Sequence, residues 1–495
     1  MKKSNLQWFV LVTVIVGTFL GRLDQTIVNL ALPKMIDYFG ITVSAAGWIA
    51  TAYIIANAIF VPIWGKLGDT IGRKKVYIIG FVIFIIGSVL AGLSWNLSSM
   101  IIFRIIQAIA SSADYPTAMA ILAVTFTDMK SRAQALGIWS SSFAAASVFG
   151  PLIGGPLIDN FGWRSIFLVN LPVGLIGLAM ALAFINESVS EKKNAKFDWW
   201  GAITLGGALA SLVFVLDQGM DWGWLSGNSL LTYASIVAFS IAFYFVERNH
   251  PEPIVDFKFF KNSVFNYTLL NNFIIFLGLL GSIFLIPIFA QTFLGMDATQ
   301  SGYLFIPMAL LLMVAAPLGV KLIGKVEARY IIAVSTAVAA CGMFLFVMLD
   351  PRSTAWAIIW PLGIMAFGMG LGMSQRTTII ANVVPTDEIG VASSILALAR
   401  NIAGAFGIAI FGTILQNATE NKVLAISLYS RINSYSPVVM KQAIALMSLK
   451  AQISAYSTVF ITAAVLVAIG AVLSLLIRIK KSETEKTKGV EIIAE

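Results

Sequence analysis

Six ionisable side chains stand inside long apolar stretches, where chemistry is costly to maintain. They are Arg22 and Asp24 in the run 8–36, Arg104 and Asp114 in 98–125, Arg376 in 355–382 and Arg400 in 391–416. At the centre of a bilayer such a group costs about 2.5 to 3.5 kcal/mol on insertion scales, so each needs a partner or a purpose. A carboxylate in that setting either fixes an arginine in a permanent ion bridge or alternates between a proton and the arginine. Only the second moves a proton. The second half of the chain offers no acid inside an apolar run, because Asp297, Glu327, Asp350, Asp387, Glu388 and Glu420 fall at ends or in loops. Arg376, beside Gln375, either receives an anionic group or snorkels to the interface.

Other chemistries are excluded by count. His250 is the only histidine and Cys341 the only cysteine, which leaves no thiol metal site, no intrachain disulfide and little room for zinc, di-iron or Ser-His chemistry. No GxxxxGK[ST] phosphate loop occurs, so the chain carries no ATPase of its own. The net charge of +9 is scattered over short loops and forms no basic face for nucleic acid. No cofactor or metal is expected, and the chain is read as a non-enzyme.

These residues are positioned by membrane-spanning helices. The 495 residues are 58% hydrophobic and 12% charged, with a mean hydropathy of +0.88, where a soluble protein carries about twice that charge. Apolar runs predict fourteen spans, at 8–36, 44–65, 76–94, 98–125, 134–158, 164–185, 199–217, 229–247, 264–291, 299–321, 329–349, 355–382, 391–416 and 455–478. The first has no A-x-A-like cleavage site and is read as retained. Lys66, Arg73, Lys74, Lys75, Lys130, Lys192, Lys258, Lys321 and Arg478 share one side, which makes both termini cytoplasmic by the positive-inside rule. Residues 417–454 are read as a long loop outside the membrane. The tail after Lys480 is charged and read as disordered.

The chain also repeats itself. Pro62, Lys66 and Leu67 match Pro317, Lys321 and Leu322 at an offset of 255, and Thr127-Asp128 and Ala133 match Thr386-Asp387 and Ala392 at 259. The expected organisation is a six-helix lobe over 1–186, an inserted helix pair with connectors over 187–262, a second six-helix lobe over 263–480 and a cytoplasmic tail over 481–495. Duplicated lobes around a midplane cavity are a common transporter plan.

The sharpest motif is the loop from Gly65 to Lys75, where Gly65, Gly68 and Gly72 permit a tight turn and Asp69 sits among Lys66, Arg73, Lys74 and Lys75. It resembles the signature loop of the major facilitator superfamily. Leu23-Asp24-Gln25-Thr26 through Pro33 resembles the first-helix motif of its fourteen-helix drug/proton antiporter family. Trp163-Arg164-Ser165 through Asn170-Leu171-Pro172 is similar to the segment opening the sixth helix there, and Leu216-Asp217-Gln218-Gly219 and Pro253-Ile254-Val255-Asp256 to its connectors. Gly150-Pro151 with Gly154-Gly155-Pro156 is similar to the antiporter motif of the fifth span, and proline and glycine there predict a bent, closely packed helix.

The resemblance implies an all-α polytopic fold, alternating access by two lobes, and exchange of protons for lipophilic cargo in the cell membrane by a single chain. It places Asp24 in the first-helix motif and Arg104 with Gln107 in the fourth-helix motif, on adjoining antiparallel helices. A two-rung ladder follows as an expectation, Asp24 with Arg104 and Arg22 with Asp114, with Asp24 the first choice for proton coupling and Asp114 the second. Arg22 and Asp114 depart from the family at those positions. Cavity candidates are Asn29, Tyr53, Asn57, Gln107, Gln375, Arg376 and Arg400, and the loop from Gly65 to Arg73 is the candidate gate. Met365, Met369 and Met373 are a soft cavity wall or, more plainly, helix packing. An exporter of amphipathic compounds and a dedicated exporter of one neutral or anionic metabolite or lipid both fit.

Overall fold

The structure is a computed structural model that describes residues 3–126, 129–188, 198–251, 253–255, 257–322, 325–384, 389–429 and 437–478. The side chains of Asp69 and Pro151, together with Gly65 and the 481–495 tail, lie outside the described residues. Every regular element among the described residues is helical. The first ten are α1 Lys3–Phe39, α2 Val43–Ile71, α3 Arg73–Gly92, α4 Leu97–Ser111, α5 Asp114–Thr125, α6 Met129–Phe161, α7 Ser165–Leu168, α8 Asn170–Phe184, α9 Trp199–Trp222 and α10 Gly227–Asn249. The remaining seven α-helices are α11 Ser263–Phe293, α12 Ala298–Tyr303, α13 Phe305–Lys321, α14 Ala328–Leu345, α15 Trp356–Asn382, α16 Ile389–Tyr429 and α17 Pro437–Ser474, and two short 3-10 helices cover Phe257–Lys261 and Phe346–Met348.

Thirteen segments among the described residues are long and apolar enough to cross a membrane. The fifth predicted span falls on α6, whose 33 residues reach about 50 Å. The chain is a multi-pass membrane protein.

Two departures from the expected spans have local causes. The fourth span is two helices rather than one. Pro116 has no N–H to give to the carbonyl of Ser112, and its ring excludes the preceding turn, so α4 stops at Ser111 and α5 starts at Asp114. The hydroxyls of Ser111 and Ser112 turn back onto the carbonyls of Ala108 and Ile109 in the same stretch. Within the 417–454 segment the described residues are helical, since α16 continues to Tyr429 and α17 starts at Pro437. Residues 417–429 contain neither glycine nor proline, and Pro437 occupies a first helical position where its missing N–H costs nothing.

The described residues divide into two units, one of 1–215, 222–254 and 287–306, the other of 216–221, 255–286 and 307–495. In the first, α1 packs on α6 and α8, and α3 on α4 and α8. In the second, α14 packs on α15 and α17, and α16 on α17. Lipid tails are as apolar as leucine, so close backbone approach does the work that water exclusion does elsewhere. A Cβ added at Gly154 would strike Ile27, and one at Gly155 would lie 2.3 Å from the Thr299 backbone. The glycines of the fifth-span motif therefore serve tight packing, within an α6 that runs as one helix. At the end of α6, Asp159 accepts from the Ala298 amide at 3.2 Å, the Thr299 amide at 2.8 Å and the Thr299 hydroxyl at 2.6 Å. Burial is the largest single influence and pushes its pKa up, but these bonds and the Lys34 charge together outweigh it and hold the carboxyl below the usual range. Asp159 therefore stays ionised through neutral pH and ties α6 to α12 without acting as a switch.

In the second unit a Cβ at Gly407 would sit 2.2 Å from the Leu277 carbonyl oxygen and 3.1 Å from the Gly281 amide. Gly407→Leu is expected to cost about 1 to 3 kcal/mol or more by overpacking and to lower the thermal midpoint of the detergent-solubilised protein. Gly227→Ala, with open space around it, should leave that midpoint where it was.

Candidate ion-coupling site in the first unit

The capping box of Asn96 and Ser99 starts α4, and Arg104 and Gln107, one turn apart on it, both reach Asp24 of α1. Arg104 Nη1 meets Asp24 Oδ2 at 2.5 Å, and both side chains are essentially sealed, at 2% and 0% exposure. Gln107 Nε2 and Asn170 Nδ2 donate to Asp24 Oδ1 at 2.8 and 3.0 Å, and each also donates to the Ser88 hydroxyl. The Arg104 guanidinium lies 4.0 Å above the Tyr53 ring and 5.7 Å from that of Phe167. Every partner of Asp24 is a donor. The cluster thus fills the acceptors of the carboxylate and matches its charge on the spot.

Asp114 is arranged differently. It opens α5, where the helix dipole favours negative charge. Its Oδ2 accepts from the Thr18 hydroxyl at 2.7 Å, and that hydroxyl accepts in turn from Trp139 Nε1 at 2.8 Å. Its Oδ1 is buried with no hydrogen-bond partner. The predicted second rung is not a contact pair: Arg22 donates to Gln25 in its own helix at 3.0 Å and acts on Asp114 through its charge alone. Asp114 borders a cavity of about 30 Å³ walled by Gly17, Gly21, Gly80, Tyr77 and Phe81. At about 10 to 15 Å³ per water, that is room for about two.

The other candidates scatter. Tyr53 and Asn57 meet at the Ser111 hydroxyl, at 2.6 and 3.0 Å, on the α4 side of this cavity. Asn29 is half-buried on α1. Gln375 donates to the Gly319 carbonyl at 2.8 Å and so serves helix packing. Met365 and Met369 are buried, which also favours packing. Arg376 and Arg400 lie in the second unit, where Arg400 stacks over Phe276 at 4.7 Å. In the loop motif, Gly72 takes φ +115°, a conformation that favours glycine, and a Cβ there would strike Glu187. Glu187 accepts from the amides of Lys74 and Lys75 at 3.0 and 3.2 Å and offsets the three basic residues that open α3.

Sequence reasoning did not assign roles to Asn170, Ser88, Thr18, Trp139 or Glu187. Asn170 lies inside a motif already singled out, and Pro116 was the signal for the helix break. Ser88, Thr18 and Glu187 carry no local mark.

Residues 14–408 match the sequence profile of the Major Facilitator Superfamily. The chain belongs to that superfamily. It is 32% identical over 436 residues to the multidrug transporter protein MdtP of Bacillus subtilis, covering 87% of this chain and 79% of MdtP. It is 29% identical to the riboflavin transporter RibZ of Clostridioides difficile, covering 84% and 90%. The fold matches the crystal structure of a bacterial homolog of the human lysosomal transporter Spinster, inward-facing and occupied, with a TM-score of 0.68 at 15% identity over 95% of this chain and 96% of that one. The fold and these relatives are those of membrane transporters, as the resemblance implied.

Asp24→Asn would leave Arg104 buried without a counter-charge, which typically costs about 3 to 5 kcal/mol. Denaturation of the purified protein should show that loss, while Asn170→Ala should cost about 1 to 3 kcal/mol. An Asp24→Asn protein as stable as wild type would show that the pair does not anchor the fold.

Proposed function

We propose that the chain is a proton-coupled antiporter that exports small amphipathic compounds by alternating access. It works as a single chain in the cell membrane with both termini cytoplasmic and has no catalytic activity. The observation that carries this reading is the contrast between two buried carboxylates. Asp24 is saturated by donors and matched to Arg104, so it acts as a fixed charge anchor. Asp114 has one neutral donor, one unpartnered oxygen and a water-sized cavity beside it, so it is the acid that can gain and lose a proton without dismantling the helix contacts. Its loss of a proton creates a negative charge in the field of Arg22. A bilayer interior tolerates that charge poorly, and the two protonation states therefore favour different arrangements of the helices. The name of MdtP supports cargo of the multidrug kind.

The name of RibZ supports a second reading, in which one physiological compound is the main cargo. The same coupling chemistry serves both, and the cavity decides between them.

One pH unit across the membrane is worth about 1.4 kcal/mol per proton, enough for about a tenfold gradient of a neutral cargo. Reconstituted wild-type protein should accumulate a fluorescent amphipathic dye toward that ratio when a pH gradient is imposed. Asp114→Asn should equilibrate the dye and stop near a ratio of one. Accumulation that persists in Asp114→Asn would remove this residue from the coupling path. A wild-type protein indifferent to the gradient would overturn proton coupling itself. If riboflavin moves and the dyes do not, the second reading holds.

A further inference from the structure

The second unit contains a buried charge with no visible counterpart. Arg376 is 1% exposed. Its Nε donates to Asn271 Oδ1 at 2.7 Å and its Nη2 to Thr336 Oγ1 at 3.1 Å, while Nη1 has no hydrogen-bond partner. Asn271 is itself held by the Gly470 carbonyl at 2.8 Å. Helices α11, α14, α15 and α17 thus orient the guanidinium with neutral groups only. Among the described residues no carboxylate pairs with Arg376, and the charge that reaches it is that of Arg400, of the same sign. The head group is bonded in the interior, so the side chain does not snorkel.

A guanidinium placed there for packing would be expected to have its donors used or an acid beside it, since an uncompensated buried charge is strongly destabilising. Here the fork is held at two nitrogens and left open at the third. Gly372 faces it, and a Cβ at that position would strike the Ser335 hydroxyl and come within 3.1 Å of both Nη1 and Nη2, so only glycine lets the fork lie this close to its own helix. The repeat offset of 259 carries Asp114 onto Met373, one turn from Arg376. The two halves therefore carry opposite charges one turn apart in the register of the repeat.

We infer that Arg376 is the receptor for a compact monoanion, a carboxylate or a halide, held by Nη1 and positioned by Asn271 and Thr336. Charge-assisted bonds from a guanidinium are the natural recognition of such groups. The inference does not rest on proton coupling or on export of dyes, and its test measures binding.

The full chain, purified in a detergent with neutral head groups, is melted in sodium HEPES, whose anion is too bulky for the site, with chloride or benzoate added at constant ionic strength. A saturable rise in thermal midpoint is expected with at least one of them in the wild type. Arg376→Gln should abolish the rise, and Thr336→Val should weaken apparent affinity. A response to chloride marks an ion of the medium, and a response to benzoate alone marks a carboxylate of the cargo. Should Arg376→Gln fail to fold, the deciding observation in wild-type crystals is bromide, or the carboxylate of bromobenzoate where benzoate alone raises the midpoint, located by anomalous scattering and within hydrogen-bond distance of Nη1. No response to either anion in the wild type, a response that survives Arg376→Gln, or absence of that anion from Nη1 would overturn the assignment.

Discussion

The first unit is organised around one constraint, that a full charge inside a low-dielectric slab must be matched on the spot. Arg104 and Asp24 meet it jointly, and the amide side chains of Gln107 and Asn170 complete it from α4 and α8. The Ser88 hydroxyl accepts from both amides, so α3 is bound in as well. Four helices that lipid would otherwise let slide past one another are thereby pinned at a common depth. The Tyr53 ring beneath the guanidinium brings α2 into the same register.

Once that anchor exists, a second acid can be left incompletely satisfied. Asp114 shares α1 and the fourth span with the anchor, yet it receives a single bond through Thr18. The difference between the carboxylates lies in their neighbours and not in depth alone: donors crowd one, while glycines and aromatic rings leave space beside the other. Environment therefore divides two identical side chains into a structural ion and a candidate proton carrier.

Much of this was legible in the residues. Apolar run lengths placed helix after helix, and glycine with acid and bases in a set order marked the loop before α3. The Asp24–Arg104 contact followed from adjoining motifs. The Arg22–Asp114 contact did not form, because side-chain reach along a helix is shared with nearer partners, and Gln25 lies one turn from Arg22. Ser88 and Thr18 were invisible, since a lone hydroxyl in an apolar run reads as an ordinary packing residue until its neighbours are known. Polar residues spaced through 417–429 and 437–454 hide a helix-forming composition, so the ends of α16 and α17 read as loop in the sequence.

The interruption between α4 and α5 has a mechanical meaning. A continuous helix resists bending along its whole length, whereas here the hydrogen-bond ladder is interrupted at Ser112 and Ala113, although both keep helical backbone angles. The cause is covalent, a proline ring at position 116, so neither a proton nor cargo can mend it. Asp114 is the first residue of α5, directly after the interruption. The weak point in the span is therefore built into the sequence, beside the carboxylate with one unused oxygen.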